Sequence, residues 1–180
     1  MNTKIFCDIA DLSSIKKFNK KTIVKGFTTN PSLMRKAGAK DYKLYSKKIL
    51  KICKNKPISL EVFADDHKSM IEQGKKISTW GKNVYVKVPI TNSKSKFSGL
   101  VIKKLNRKNI KLNITAVYNA QQTKKILKIC NNKPVSLEVF ADEYKEMKIQ
   151  AMKINTWGKN IYVKVPVLNS KGKFMYRIIR

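Results

Sequence analysis

The strongest fold signal lies in residues 57–90, which read PISLEVFADDHKSMIEQGKKISTWGKNVYVKVPI. Two short apolar runs, 57–63 and 83–90, flank a longer and more polar stretch that is predicted to be helical. Both runs are rich in valine or isoleucine, which is typical of strands buried between helices. A strand, a helix and another strand in this order predict two parallel strands with the helix packed across them.

The same alternation continues on both sides of this stretch. Apolar residues also recur at helical spacing, as they do at Tyr42, Tyr45 and Ile49 after the candidate helix cap Asp41. Seven strands separated by helices predict an α/β fold of the (β/α)8, or TIM-barrel, type that is incomplete or rearranged and one strand short of closure. The remaining five strand candidates are 4–10, 23–29, 111–118, 134–140 and 160–167.

The chain contains a long internal repeat. Residues 47–97 recur without a gap as residues 124–174, and 37 of the 51 aligned positions are identical. Because old internal symmetry rarely stays this close, the repeat predicts a recent or artificial duplication of strands three and four as strands six and seven. We expect residues 1–180 to form a single domain, since a chain of this length suits one core.

The charge of the chain is strongly positive. Lysine and arginine total 40 against 11 acidic residues, which gives a formal net charge of +29. Such a charge attracts polyanions, but the only arginines are Arg35, Arg107, Arg177 and Arg180, and arginine is the residue that reads bases and phosphates most often. Lysine, isoleucine and asparagine have A/T-rich codons, so a biased genome explains the excess equally well. Nucleic acid is therefore not the expected partner.

Several classes of protein are disfavoured by composition. No apolar run approaches the roughly 20 residues of a membrane span, and the start MNTKIFCDIA lacks a signal-peptide core, so we expect a cytoplasmic protein. Cys7, Cys53 and Cys130 are too widely spaced for a zinc-ligand pattern or a disulfide framework. His67 is the only histidine, which disfavours histidine triads and multi-histidine metal sites.

Polar side chains occupy one face of each of the first five strands. Because side chains alternate along a strand, these groups would converge in the interior of a barrel. An ion pair without function is the alternative for any one of them. Burying three ionised groups costs several kcal/mol each before pairing, however, so the whole set favours a functional site. The set consists of Asp8, Asn30, Glu61, Lys87 and Asn113.

This combination of side chains suits imine (Schiff-base) chemistry on a carbonyl substrate. A lysine withdrawn from water loses its proton more readily and can act as an amine nucleophile. One carboxylate would transfer protons while the carbinolamine forms and loses water. Another would deprotonate the hydroxyl group whose carbon is cleaved. Amide side chains would hold the hydroxyl groups of a sugar.

Five segments resemble, in order, the first five barrel strands of the transaldolase family, including its small fructose-6-phosphate-aldolase-like branch of class I aldolases. They read CDIAD, GFTTNPSLM, SLEVFA, VKVP and LNITAVY. The resemblance covers residues 1–123, and its most specific feature is TTNPS followed downstream by VKVP.

The resemblance implies a role for each polar residue. Lys87 would be the Schiff-base lysine, Glu61 the acid/base acting through a water, and Asp8 the group acting on the C4 hydroxyl of the substrate. A glutamate at position 61 resembles the transaldolases, since the aldolase branch tends to have glutamine there. The implied reaction transfers a dihydroxyacetone unit from a ketose phosphate to an aldose phosphate in the pentose phosphate pathway, with no cofactor and no metal. The dihydroxyacetone pocket would be lined by Thr28, Asn30, Asn113 and Thr115.

The chain departs from the family after the fifth strand. The family would continue with a strand bearing a serine and with an arginine that binds phosphate, whereas this chain has the repeat, with Glu138 and Lys164. An unclosed barrel exposes strand edges, so a homo-oligomer is a further expectation. Three interpretations stay open: a working transaldolase, a truncated and rearranged relic with little activity, or a lysine-rich nucleic-acid-binding protein with salt-dependent affinity.

Overall fold

The computed structural model describes residues 4–117, 119–130, 135–139, 141–167 and 169–179. Strands and helices alternate along these residues. The strands are β1 (Ile5–Asp8), β2 (Val24–Thr28), β3 (Ile58–Glu61), β4 (Val84–Pro89), β5 (Leu112–Thr115), β6 (Val135–Glu138) and β7 (Ile161–Lys164). The helices are α1 (Leu12–Asn19), α2 (Pro31–Lys36), α3 (Tyr42–Cys53), α4 (His67–Ser78), α5 (Gly99–Arg107), α6 (Ala120–Cys130), α7 (Tyr144–Asn155) and α8 (Tyr176–Ile179).

All seven predicted strands are present, and each is shorter than its apolar run. Residues 118, 134 and 140, at the ends of predicted strands, lie outside the described residues. The first five strands form one sheet in the order β1-β2-β3-β4-β5, while β6 and β7 form a separate two-stranded sheet. The pairs β1/β2, β2/β3, β3/β4 and β6/β7 are parallel, as the alternation with helices predicted.

Contacts between residues divide the chain into two units. The first unit contains the described residues of Asn2–Val88 together with Lys104–Asn113, and the second contains those of Pro89–Lys103 and Ile114–Arg180. In the first unit, Ile15 of α1, Phe27 of β2, Ile49 of α3 and Leu60 of β3 are all completely buried. In the second unit, Ile126 of α6 and Met147 of α7 are likewise completely buried, and Leu137 of β6 is nearly so.

Aspartate side chains start three helices of the first unit. Asp11 accepts a hydrogen bond from Ser14 N at 2.7 Å, Asp41 from Leu44 N at 2.6 Å, and Asp66 from Ser69 N at 2.9 Å. These bonds satisfy amide groups that have no partner within a helix. The hydrogen bonds from Ser14 and Ser13 lower the pKa of Asp11 to about 2. The bond from Leu44 N confirms that Asp41 is a helix cap, as the sequence predicted.

The two faces of the first four strands differ in burial. On the face that packs against helices, Phe27, Leu60 and Val86 are completely buried. The opposite face is partly open, since Phe6 is 41% and Phe63 is 58% exposed. The sequence predicted that this second face is enclosed. It is not, because five strands do not close around their own inner surface.

Gly26 of β2 is expected to resist substitution because two neighbours crowd it. A Cβ atom there would lie 2.5 Å from Phe6 Cε1 and 2.7 Å from the carbonyl oxygen of Pro57. Gly26→Ala should lower the free energy of unfolding by about 1–3 kcal/mol, through displacement of the backbone. Urea denaturation would measure the change.

Gly74→Ala in α4 is the matched control. Its Cβ would meet Leu105 Cδ1 at 2.7 Å, but that atom is the end of a flexible side chain. Alanine is also the better helix former by about 0.5–1 kcal/mol, and alanine already occupies the aligned position 151. An equal loss of stability in the two variants would contradict this account.

Candidate active site

The polar face of the first unit brings predicted site residues together in register. Asp8 pairs with Thr28 across β1 and β2, and Thr28 pairs with Ser59 across β2 and β3. Two residues further along β3, Glu61 pairs with Lys87 of β4. Side chains of paired residues in a parallel sheet point to the same face. The alternation in the sequence therefore identified the correct face of each of these strands.

Lys87 and Glu61 form an ion pair. Lys87 Nζ lies 3.2 Å from Glu61 Oε2, and their side chains are only 12% and 18% exposed. The pairing compensates for much of the cost of removing either charge from water. Both groups still have access to solvent, so an amino group and a carboxylate lie together on a face that a small molecule can reach.

Asp8 is held by a neighbouring hydroxyl group. Thr28 Oγ1 donates a hydrogen bond to Asp8 Oδ1 at 2.7 Å, and Thr28 itself is 7% exposed. Asp8 is exposed, in contrast to the buried position that the sequence predicted. The difference has the same cause as the exposure of Phe6: the inner face of the five-stranded sheet is open. The bond uses only Oδ1 of Asp8. It therefore orients the carboxylate and leaves Oδ2 able to accept another hydrogen bond.

The amide side chains of the two predicted site residues Asn30 and Asn113 make different hydrogen bonds. Asn30 Oδ1 accepts a hydrogen bond from Leu33 N at 2.8 Å, so Asn30 is the cap that starts α2. Asn113 Nδ2 donates to Ser59 Oγ at 3.0 Å and therefore reaches β3 from β5. Ser59 was not predicted as a site residue, although its position two residues before Glu61 on the same face could have indicated it.

Thr115 is the one predicted site residue that belongs to the second unit. It is the last residue of β5, and its carbonyl oxygen accepts a hydrogen bond from Ile90 N at 2.9 Å. Its side chain is half-buried. The other six predicted residues, Asp8, Thr28, Asn30, Glu61, Lys87 and Asn113, all lie in the first unit.

Two side chains that were not predicted to belong to the site bind the backbone at the end of β3. The hydroxyl group of Tyr42 accepts from Glu61 N at 2.9 Å and donates to Glu61 O at 3.0 Å. Gln73 Oε1 of α4 accepts from Phe63 N and Ala64 N, both at 2.9 Å. The helical spacing of Tyr42 gave no signal for this role, because it fits an ordinary core position equally well.

The second unit contains a second lysine–glutamate pair. Glu138 pairs with Lys164 in the same register as Glu61 with Lys87, and Lys164 Nζ lies 3.1 Å from Glu138 Oε2. Here the lysine side chain is 39% and the glutamate side chain 51% exposed. The pair thus repeats the geometry of the first but is much more open to water.

Two kinds of feature are absent from the residues that the structure describes. Within them, no three histidine, cysteine, aspartate or glutamate side chains come together as a metal site would require. None of the helices in this part of the chain combines the length and apolarity needed to cross a membrane.

Two solved structures have a fold similar to that of this chain. A dihydrodipicolinate synthase family protein from Coccidioides immitis matches with a TM-score of 0.62 and 15% identity, over 91% of this chain and 60% of that one. N-acetylneuraminate lyase from Mycoplasma synoviae matches with a TM-score of 0.56 and 10% identity, over 89% and 60%. At such identities the likeness concerns the fold, and it agrees with the predicted α/β architecture of TIM-barrel type.

Sequence comparison identifies the family. Proteins named "Probable transaldolase" from Nitrosopumilus maritimus and Thermoplasma volcanium are 42% and 40% identical to this chain over 121 residues, which is 66% of the chain. The one from Dehalococcoides mccartyi is 36% identical over 120 residues. The chain spans about half the length of these relatives, 51–53%. The family described as Transaldolase/Fructose-6-phosphate aldolase matches residues 5–129. This chain is therefore a member of the transaldolase/fructose-6-phosphate aldolase family.

Proposed function

We propose that the chain is a transaldolase that transfers a dihydroxyacetone unit between sugar phosphates through an imine on Lys87. The observation that carries the proposal is the half-buried Lys87–Glu61 pair, with 3.2 Å between Nζ and Oε2, at the carboxyl ends of adjacent strands. In barrels of this type, active sites are built at the carboxyl ends of the strands. The reaction would belong to the pentose phosphate pathway and take place in the cytoplasm.

The first half of the proposed reaction attaches the ketose to the enzyme. Glu61 accepts a proton from the Lys87 ammonium group, and Nζ attacks the carbonyl carbon. The carbonyl oxygen takes up the proton that Nζ then loses, which gives a carbinolamine. Glu61 then returns the proton to the carbinolamine hydroxyl, which leaves as water, and an iminium ion remains. The 3.2 Å between Nζ and Oε2 suits the first transfer directly, and the second, to the carbinolamine hydroxyl, would pass through a water, as the family resemblance implies.

The second half cleaves and rebuilds a carbon–carbon bond. Asp8 takes the proton from the C4 hydroxyl, the C3–C4 bond breaks, and its electron pair moves to the iminium nitrogen as an enamine. The aldose phosphate leaves. The enamine then attacks the carbonyl carbon of an acceptor aldose phosphate, Asp8 protonates the new hydroxyl, and water hydrolyses the iminium to release the product ketose.

Sugar hydroxyl groups would be held by the hydroxyl and amide side chains beside this pair. Thr28 is already bound to Asp8 and Asn113 to Ser59, so both are fixed before a substrate arrives. Preorganised groups of this kind lower the cost of positioning a substrate. Asn30 would contribute its Nδ2, since its Oδ1 caps α2. Thr115 is included on the resemblance alone.

The proposal is tested by trapping the imine. The protein is incubated with fructose 6-phosphate and borohydride, which adds hydride to the imine carbon and makes the bond permanent. Intact-mass spectrometry followed by peptide mapping is expected to locate a dihydroxyacetone or hexose phosphate adduct on Lys87. A folded protein that forms no adduct over long incubation would refute the activity and leave the relic interpretation.

A further inference from the structure

The hydroxyl group of Tyr42 binds the backbone of Glu61 at a point where β2, the neighbouring strand, has already ended. The last backbone bond between β2 and β3 runs from Thr29 N to Ser59 O at 3.2 Å. Two residues further along β3, Glu61 turns its N–H and C=O to the same side, as parallel pairing requires. No residue of β2 reaches them, and the hydroxyl group of Tyr42 binds both, at 2.9 and 3.0 Å.

The Tyr42 ring is fixed by aromatic neighbours. It packs edge-on against Phe63, with 5.2 Å between ring centroids, and tilted against Trp80 at 6.0 Å. Burial raises the pKa of Tyr42, so its hydroxyl group stays protonated and can donate as well as accept. The hydroxyl group therefore has one fixed position from which it restrains the backbone of Glu61.

The second lysine–glutamate pair keeps part of the arrangement that surrounds the first. The repeat begins at Lys47 and does not include Tyr42, and Asn119 before α6 corresponds in role to Asp41, since its Oδ1 accepts from Gln122 N as Asp41 accepts from Leu44 N. The glutamine contact is kept, because Gln150 accepts from Ala141 N at 3.0 Å as Gln73 does from Ala64 N. The pair at Glu138 has the same register but is 51% and 39% exposed, against 18% and 12% for the first.

We infer that Tyr42 is the positioning residue of Glu61: its hydroxyl group fixes the end of β3 so that the carboxylate is held beside Lys87 Nζ. Tyr42 does not touch the reacting atoms and acts only through the backbone of Glu61. The catalytic consequence rests on the proposed function, whereas the effect on the geometry of Glu61 does not.

The effect on geometry is tested by NMR on Tyr42→Phe, which keeps the ring between Phe63 and Trp80. Amide hydrogen exchange at Glu61 should become about tenfold faster or more, because the amide loses its acceptor. The carboxyl carbon signal of Glu61 should also shift. Tyr45→Phe is the matched control: the hydroxyl group of this tyrosine on the same helix donates to Ala10 O at 3.0 Å and to Ala37 O at 3.2 Å, neither of which belongs to β3. It should leave both signals of Glu61 unchanged.

Each outcome of the NMR experiment decides the inference. Unchanged exchange at Glu61 in Tyr42→Phe, or faster exchange with an unmoved carboxyl signal, would overturn it, since the hydroxyl group would then be only a structural contact. If Tyr42→Phe does not fold, the wild-type protein gives the answer. A slowly exchanging Tyr42 hydroxyl proton with a cross-peak to the Glu61 amide is expected, and its absence in the folded protein would also overturn the inference.

The catalytic consequence is measured with fructose 6-phosphate as donor. Tyr42→Phe should lower kcat about tenfold, a part of the 10²–10⁴-fold that acid–base catalysis supplies, with KM within about twofold. A normal kcat in a variant whose Glu61 signals have moved would overturn the positioning role. If the wild-type protein forms no adduct at Lys87, the proposed function fails, while the NMR signals still decide whether Tyr42 positions Glu61.

Discussion

Lys87→Met is expected to abolish the borohydride-stable adduct with fructose 6-phosphate and to lower transferase activity by a factor on the order of 10³ or more, because it removes the covalent nucleophile. Methionine keeps most of the length of the lysine side chain, so the packing on β4 is largely retained. It leaves Glu61, whose side chain is 18% exposed, without its ion-pair partner. A loss of about 1–3 kcal/mol in unfolding free energy is expected for this reason.

Lys164→Met is the control that the chain itself provides. Lys164 has the same register and the same distance to a glutamate, 3.1 Å, but its side chain is 39% exposed. An exposed ion pair contributes little to stability, so this variant should unfold at nearly the wild-type temperature and keep the full adduct. An adduct that survives in Lys87→Met and disappears in Lys164→Met would reverse the assignment of the nucleophile.

The fold could be predicted from local patterns because each strand has a clear apolar face. The runs at 57–63 and 83–90 contain β3 and β4, and the side that holds Leu60 and Val86 is completely buried. The division into a five-stranded and a two-stranded sheet could not be predicted. Segments 47–97 and 124–174 have nearly the same sequence, and strand pairing between distant segments is not encoded in the local pattern of either.

Residues of the candidate site could be predicted only where the alternation of side chains along a strand determines which face of the sheet they occupy. Asp8, Glu61 and Lys87 were identified in this way, and their register confirms that they share a face. The exposure of Asp8 depends on tertiary structure, whereas the bond from Leu33 N to Asn30 is local, and an asparagine directly before a proline could have indicated this cap. Tyr42 was missed because a helical position that faces the core has the same sequence signal whether or not its hydroxyl group binds a strand end.

A comparison of the two lysine–glutamate pairs shows which of their features depend on local sequence and which depend on tertiary structure. Their strands have the same register and nearly the same distance between charged atoms, so the local sequence suffices to form the pair. The surroundings differ: Thr28 pairs with Ser59 two residues before Glu61 in the first sheet, whereas β6 and β7 form a sheet of only two strands. The lower exposure of the first pair therefore comes from neighbouring segments that lie outside the repeat.

Glu61→Gln is expected to slow imine formation by about a hundredfold, within the range that acid–base catalysis contributes. Glutamine has nearly the same shape and can still accept a hydrogen bond from Lys87, but it cannot take up the proton of the ammonium group. Lys87 remains, so the adduct should still reach its full amount on long incubation. The time course of adduct formation under borohydride, followed by intact mass, separates the rate from the final amount.

Glu138→Gln is the matched control for this change, since it removes the corresponding carboxylate from the exposed pair. Its adduct should form at the wild-type rate. If Glu61→Gln also reacts at the wild-type rate, Glu61 serves only as a counter-ion, and the proton must go to another group, of which Asp8 is the first candidate. If instead the final amount of adduct falls to zero in a folded Glu61→Gln protein, the carboxylate is needed to hold Lys87 in place rather than to transfer its proton. The two failures are distinguishable because one alters neither the rate nor the amount, and the other removes the product.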